Sequence, residues 1–156
     1  MATQIVEDHN LVGYDNDLAG WAMGQVAALR EREVLALDWE NLAEAIEGLA
    51  GSQWDRLESA LRIVLLHLLK WDHQPDRRSR SWWNSIAEHR DRAATRLRVS
   101  PSLRSSLPEI ILDAYRGGRR AAAVQMDVPT KSLPVDCPYS FDEIMTRPIE
   151  WDGELA

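Results

Sequence analysis

Apolar residues recur at three- and four-residue steps along most of this chain, and no stretch of useful length alternates apolar with polar. That period predicts helices and no sheet. Asp15 is a capping residue, and after it Leu18, Trp21, Ala22, Val26 and Leu29 fall on one side of a first helix that ends near Val34. Asp38 caps a second helix, in which Leu42, Ile46, Leu49, Leu57, Leu61, Val64 and Leu68 hold the helical period over about thirty positions. Gly48 and Gly51 each weaken a helix by ~1 kcal/mol relative to alanine, yet the stripe keeps its side across them. The expectation is one long central helix. From Leu61 to Trp71 the apolar residues Ile63, Val64, Leu65, Leu66, Leu68 and Leu69 cover most of the circumference, so other helices must wrap that segment.

Pro75 ends the central helix, because proline lacks an amide hydrogen and disfavours the α conformation in the residue before it. Ser79 or Ser81 caps a third helix with an inner face of Trp82, Ile86, Ala93 and Leu97. Ser100 and Pro101 start a short helical piece, and Pro108 opens a further helix carrying Ile111, Leu112, Tyr115 and Ala122. Beyond Asp127 the period is lost, and Pro129, Pro134 and Pro138 predict an irregular C-terminal arm, with Ser140 capping one last short helix through Met145. The fold class is therefore all-α: four to five principal helices around a long central one, with the arm lying over the bundle as a strap. One helical domain over 14–147 is expected, between tails at 1–13 and 148–156.

The 156 residues suffice for one core and are too few for two ordinary domains. No apolar run approaches the ~20 residues that cross a bilayer, and the first residues lack a basic, then apolar, leader pattern, so the cytoplasm is the expected compartment. Cys137 is the single cysteine, which excludes an internal disulfide and a multi-cysteine zinc site; it reads as a packing residue. The net charge of −7 argues against nucleic acid as a partner of the whole molecule. The charge is uneven, however: residues 70–104 hold 9 basic and 4 acidic side chains, whereas 1–69 hold 4 and 12. Antiparallel packing of the third helix on the central one, with Arg92 and Arg96 near Asp55 and Glu58, explains that block without RNA.

Leu37-Asp38-Trp39-Glu40-Asn41-Leu42-Ala43-Glu44 with Ile46-Glu47, then His67-Leu68-Leu69-Lys70-Trp71, Gln74-Pro75 and Arg78-Ser79-Arg80-Ser81-Trp82, together with Tyr14-Asp15-Asn16-Asp17, Trp21 and Gln25, carry a resemblance. They resemble the bacterial family catalogued as domain of unknown function number twenty-nine, over roughly Tyr14 to Tyr139. The resemblance implies an all-helical fold and supplies no activity or catalytic residue. Ala60 and Ala45 depart from the family pattern, which has an arginine and a glutamate there.

Three groups of residues have chemical potential. Arg62 and His67, five residues apart, resemble the signature of HEPN ribonucleases, which implies acid–base work by His67 and phosphorane stabilisation by Arg62; imidazole titrates near neutrality and suits that role. Five residues turn side chains ~140° apart on one helix, so a second protomer is needed, and the competing reading is a histidine held in a packing seam. Glu40, Glu44, Glu47, Asp55 and Glu58 form an acidic stripe without the Glu-x-x-His step of a dinuclear bundle, so no metal or other cofactor is expected. The turn holding Trp71, Arg77, Arg78, Arg80, Ser81 and Trp82 combines aromatic rings, cations and a helix start; alternatively, Trp71 and Trp82 close the core while Arg78 or Arg80 caps carbonyls at the end of the central helix. The expectation is a non-catalytic helical binding module using that turn for protein or small-anion contacts, with a protein partner or a homo-oligomer, and a HEPN-like metal-independent ribonuclease as the alternative.

Overall fold

A computed structural model of the protein describes residues 13–151 and shows an all-α bundle; the 1–12 part of the first expected tail and the 152–156 part of the second lie outside the described residues. The helices are α1 (Leu18–Glu31), α2 (Trp39–His73), α3 (Arg80–Val99), α4 (Leu107–Met126) and α5 (Phe141–Thr146), joined by short 3-10 turns. No strand occurs among the described residues. The long central helix runs unbroken through Gly48 and Gly51. The chain divides into two compact units, residues 1–50 and 51–156.

In the first unit the α1 cap is Asp17 and not Asp15: the Asp17 carboxylate accepts from the Gly20 amide, while Gly13 accepts from the Asn16 and Asp17 amides in a preceding turn. α1 ends at Glu31, three residues before the expected Val34; Arg32 caps it in the left-handed region and the Glu33 amide bonds back to Ala28. Asp38 caps α2 as expected, accepting from the Asn41 backbone and side chain. Polar groups hold this hairpin together. The Trp21 indole donates to Asp38 at 3.1 Å, the Asp38 amide donates to Gln25 at 2.8 Å, and Tyr14 packs edge-on against Trp21 with centroids 4.7 Å apart. The asparagine bonds hold the Asp38 carboxyl below its ordinary range against the opposing effect of desolvation.

In the second unit α2 is the centre, with Leu57, Leu61, Val64, Leu65, Leu68 and Leu69 fully enclosed. Its wrapping comes from Ile86, Ala93 and Leu97 of α3 and Ile110, Ala114, Tyr115, Ala122 and Ala123 of α4. α4 approaches closely at Gly118, where an added Cβ would stand 2.9 Å from the Arg62 carbonyl oxygen. Ser79, not Ser81, caps α3, and Pro108 lies in the first turn of α4. Leu112 proves exposed, and Ile110 takes the inward place. The basic residues of α3 are not paired as anticipated: Arg92 bonds Glu88 on its own helix and Arg96 reaches Gln53 at 3.4 Å.

Residues 127–151 form the anticipated strap, and side chains of the helices bind its backbone. Tyr115 donates to Pro134 at 2.6 Å, Arg119 to Leu133, and the Trp83 indole to Ile149. Arg90 spreads its guanidinium over the carbonyls of Ile144, Arg147 and Glu143, the open end of α5. Ser140 and Glu143 close the other end of α5 as a reciprocal capping box. Asp72 gathers Tyr139 and Arg147, and these bonds hold its carboxyl below the ordinary range although desolvation, the larger single influence, pushes it up.

Candidate functional site

The turn singled out from sequence begins where Pro75 stops α2, and its residues divide by task. Trp71 is 3% exposed and belongs to the core. Arg78 donates to the Trp71 carbonyl at 3.0 Å and lays its guanidinium 5.1 Å from the Trp71 ring centre. It thus satisfies a carbonyl at the end of α2, the capping alternative anticipated for Arg78 or Arg80. Ser79 is occupied by the Trp82 amide, while Arg77, Arg80 and Ser81 lie exposed. Trp82 is half-buried against α2.

Against Trp82 the structure places a buried lysine that sequence reasoning missed. Lys70 is 7% exposed, its Nζ donates to Gln125 at 2.8 Å and stands 4.2 Å above the Trp82 ring. Burial depresses its basicity. His67, one turn earlier, has its ring 6.4 Å from Trp82, and its enclosed Nδ1 has no hydrogen-bond partner. Burial first, then the charges of Lys70 and His89, lower its pKa to about 4, so it is neutral at ordinary pH. A lysine at the i+3 step from a histidine inside an otherwise apolar run was the signal in the sequence.

Arg62 and His67 address different helices. The Arg62 side chain lies beneath Gly117 of α4 and donates to Ser59 at 3.5 Å, whereas His67 faces Trp82 of α3. Burial also raises the Cys137 thiol pKa, and its sulfur contacts the Tyr139 carbonyl. A shallow groove of about 440 Å³, lined by Ala123, Val124, Asp127, Val128, Pro129 and Thr130, contains none of the anticipated site residues. Among the described residues no group of three or more His, Cys, Asp or Glu side chains is placed to hold a metal ion, and no helix is long and apolar enough to cross a membrane.

The first unit carries a different surface. Leu18, Val26 and Leu29, expected on the inner face of α1, are exposed, and so are Ile46 and Leu49, expected in the central stripe of α2. Only Trp21 and Ala28 of α1 are buried. α1 and the start of α2 run in opposite directions: Trp21 bonds Asp38, whereas Tyr14, seven residues earlier, lies beside Glu44, six residues later. At about 100° per residue, Leu18, Leu29 and Val26 are rotated about 70–150° from the Trp21–Ala28 side of α1. Leu49, Ile46 and Trp39 are rotated about 60–140° in the same sense from the Asn41–Ala45 side of α2. Two antiparallel right-handed helices turned in the same sense present those positions to one side of the hairpin. An exposed apolar face results, and Glu40, Glu44 and Glu47 are turned in the opposite sense, to the other side of α2.

No curated protein and no solved structure matches this chain. A family described as "Domain of unknown function DUF29" matches residues 13–149, and by that match across most of its length, with the all-helical architecture the residues dictate, the chain belongs to that family.

Proposed function

We propose that the protein is a non-catalytic helical binding module that works through protein contacts, and that the apolar face of its first hairpin makes them. The observation that carries this reading is a concentration. Among the described residues, nine large apolar side chains are exposed on the 38 from Gly13 to Ala50, and five on the 101 from Gly51 to Trp151. Contiguous exposed apolar surface marks sites that a partner covers, because leaving it in water costs solubility. Two further facts favour binding over catalysis: Arg62 and His67 are turned to different helices, and Arg78 is committed to the end of α2.

The test is site-specific photo-crosslinking of the full chain in living cells, with a benzophenone amino acid at Leu29 or Ile46 and, as controls, at Leu112 or Val124. Discrete adducts from the hairpin positions and none from the controls are expected. Equal yields at all four positions, or none at any, would overturn the reading.

A further inference from the structure

We propose that the first hairpin, from Gly13 to Ala50, opens and closes as a unit of its own, with α2 parting at Gly51 while its later turns stay folded; what this means for a partner rests on the binding reading above. Burial makes opening costly, and it is unevenly shared. Among the described residues of the first unit only Trp21 and Ala28 are buried, whereas the core of the second draws on α2, α3, α4 and α5. Segments that bury little apolar surface open first. α1 has 14 residues, about the length at which an isolated helix is marginal in water. The side-chain bonds that close the hairpin converge on one carboxylate: Asp38 accepts from the Trp21 indole and from the Asn41 backbone and side chain.

The parting falls where local chemistry supplies both new ends. Every residue from Ile46 to Gly51 is exposed, and a Cβ at Gly48 or Gly51 would meet nothing within 4 Å. That turn therefore rests on its own backbone bonds, at two positions where the helix former is poor. Glycine also ends a helix readily. Ser52 follows at once, three residues before the Asp55 amide, the spacing of an N-cap, so the rest of α2 keeps a capped start when the earlier turns open. Leu57, fully enclosed, anchors what remains. The division between the two compact units falls at the same place, between Ala50 and Gly51. Opening takes the exposed apolar face apart, since Leu18, Val26 and Leu29 stand on α1 and Ile46 and Leu49 on α2. A partner on that face holds the hairpin shut by mass action.

Hydrogen exchange of the full chain, followed by mass spectrometry, reads the opening without a partner. Peptides from 18–31 and 39–50 are expected to exchange together, at least about a hundredfold faster than those from 57–69. Gly48→Ala removes a weak helix position inside the opening segment. It should slow both hairpin peptides about fivefold, which is ~1 kcal/mol at ~1.4 per tenfold, and leave 57–69 unchanged. Asp38→Ala should speed both by at least about fivefold and again leave 57–69 unchanged. If the hairpin of that variant never closes, its peptides exchange at the unprotected rate while 57–69 keeps its protection, which supports the proposal equally. Equal protection of the hairpin and 57–69 in the wild type, insensitivity to Gly48→Ala, or loss of protection at 57–69 in step with the hairpin in Asp38→Ala would each overturn it. Slow hairpin exchange with crosslinks at Ile46 removes the opening alone; fast exchange without crosslinks removes the binding reading alone.

Discussion

Replacing Gly118 by alanine tests the packing of α4 on α2 with a single methyl group. On an open helix surface the change is favourable, since glycine lies ~1 kcal/mol below alanine in helix propensity. Gly51 offers that situation: it is helical, and a Cβ there meets nothing within 4 Å. At Gly118 the new Cβ would stand 2.9 Å from the Arg62 carbonyl oxygen and 3.3 Å from the Leu66 amide nitrogen. Both atoms are backbone of a helix whose core residues are fully enclosed, so no side chain can swing aside and α4 must withdraw by several tenths of an ångström. Such overpacking costs about 1–3 kcal/mol. Set against the propensity gain of ~1 kcal/mol, Gly118→Ala should show a net loss of up to about 2 kcal/mol while Gly51→Ala gains up to ~1. For a chain of this length 1 kcal/mol is roughly 2–4 °C, so the two melting temperatures should part by about 2–12 °C. Urea unfolding should show the same order with unchanged slope, since neither variant alters the surface exposed on unfolding. A Gly118→Ala protein that melts above wild type, as Gly51→Ala should, would refute the close approach of the two helices.

Three other outcomes follow from the same coordinates. Leu65→Ala should cost about 2–5 kcal/mol in urea unfolding, because its side chain is fully enclosed between α2 and its neighbours; a loss under ~0.5 kcal/mol would contradict that enclosure. Arg90→Ala removes the side-chain donor of the Ile144 and Arg147 carbonyls, while Glu143 keeps the Arg147 amide, at a cost of about 1–3 kcal/mol, and hydrogen exchange should quicken in α5 first, with α2 unaffected. His67 has a folded pKa of about 4 against 6.5 unfolded, so its contribution is complete above pH 6.5 and is lost as pH falls through 4, because the unfolded chain binds the proton more tightly. The full shift converts to ~3 kcal/mol at ~1.4 per unit; since the ring is partly exposed, solvent screening reduces this to about 1–2. The stability difference between wild type and His67→Gln should therefore slope between pH 4 and 6.5, and a flat difference would show that the imidazole is not desolvated.

What the sequence makes legible depends on whether a signal is local or needs a partner. Ser79 and Ser140 announce helix starts because a hydroxyl three residues before an unpaired amide acts wherever the chain lies, and both do so here. Asp15 and Asp17 offer the same chemistry two residues apart, and the turn on the Gly13 carbonyl decides between them. The stripe on α2 is of the other kind. Its period is the same at Ile46 and Leu49 as at Leu57 and Leu61, yet the first two are exposed and the last two have no exposure at all. Periodicity says that a face is apolar and is silent on whether this chain supplies the cover. The same limit governed the site. Arg78 and Arg80 both offered a cap for the end of the central helix, and only the turn at Pro75 decides that Arg78 reaches the Trp71 carbonyl. Lys70 stands at the edge of an apolar run in the sequence, and Trp82 and Gln125, twelve and fifty-five residues away, enclose it. An uncovered stripe and a covered lysine are thus two forms of one ambiguity, which only the placement of residues far off in the chain resolves.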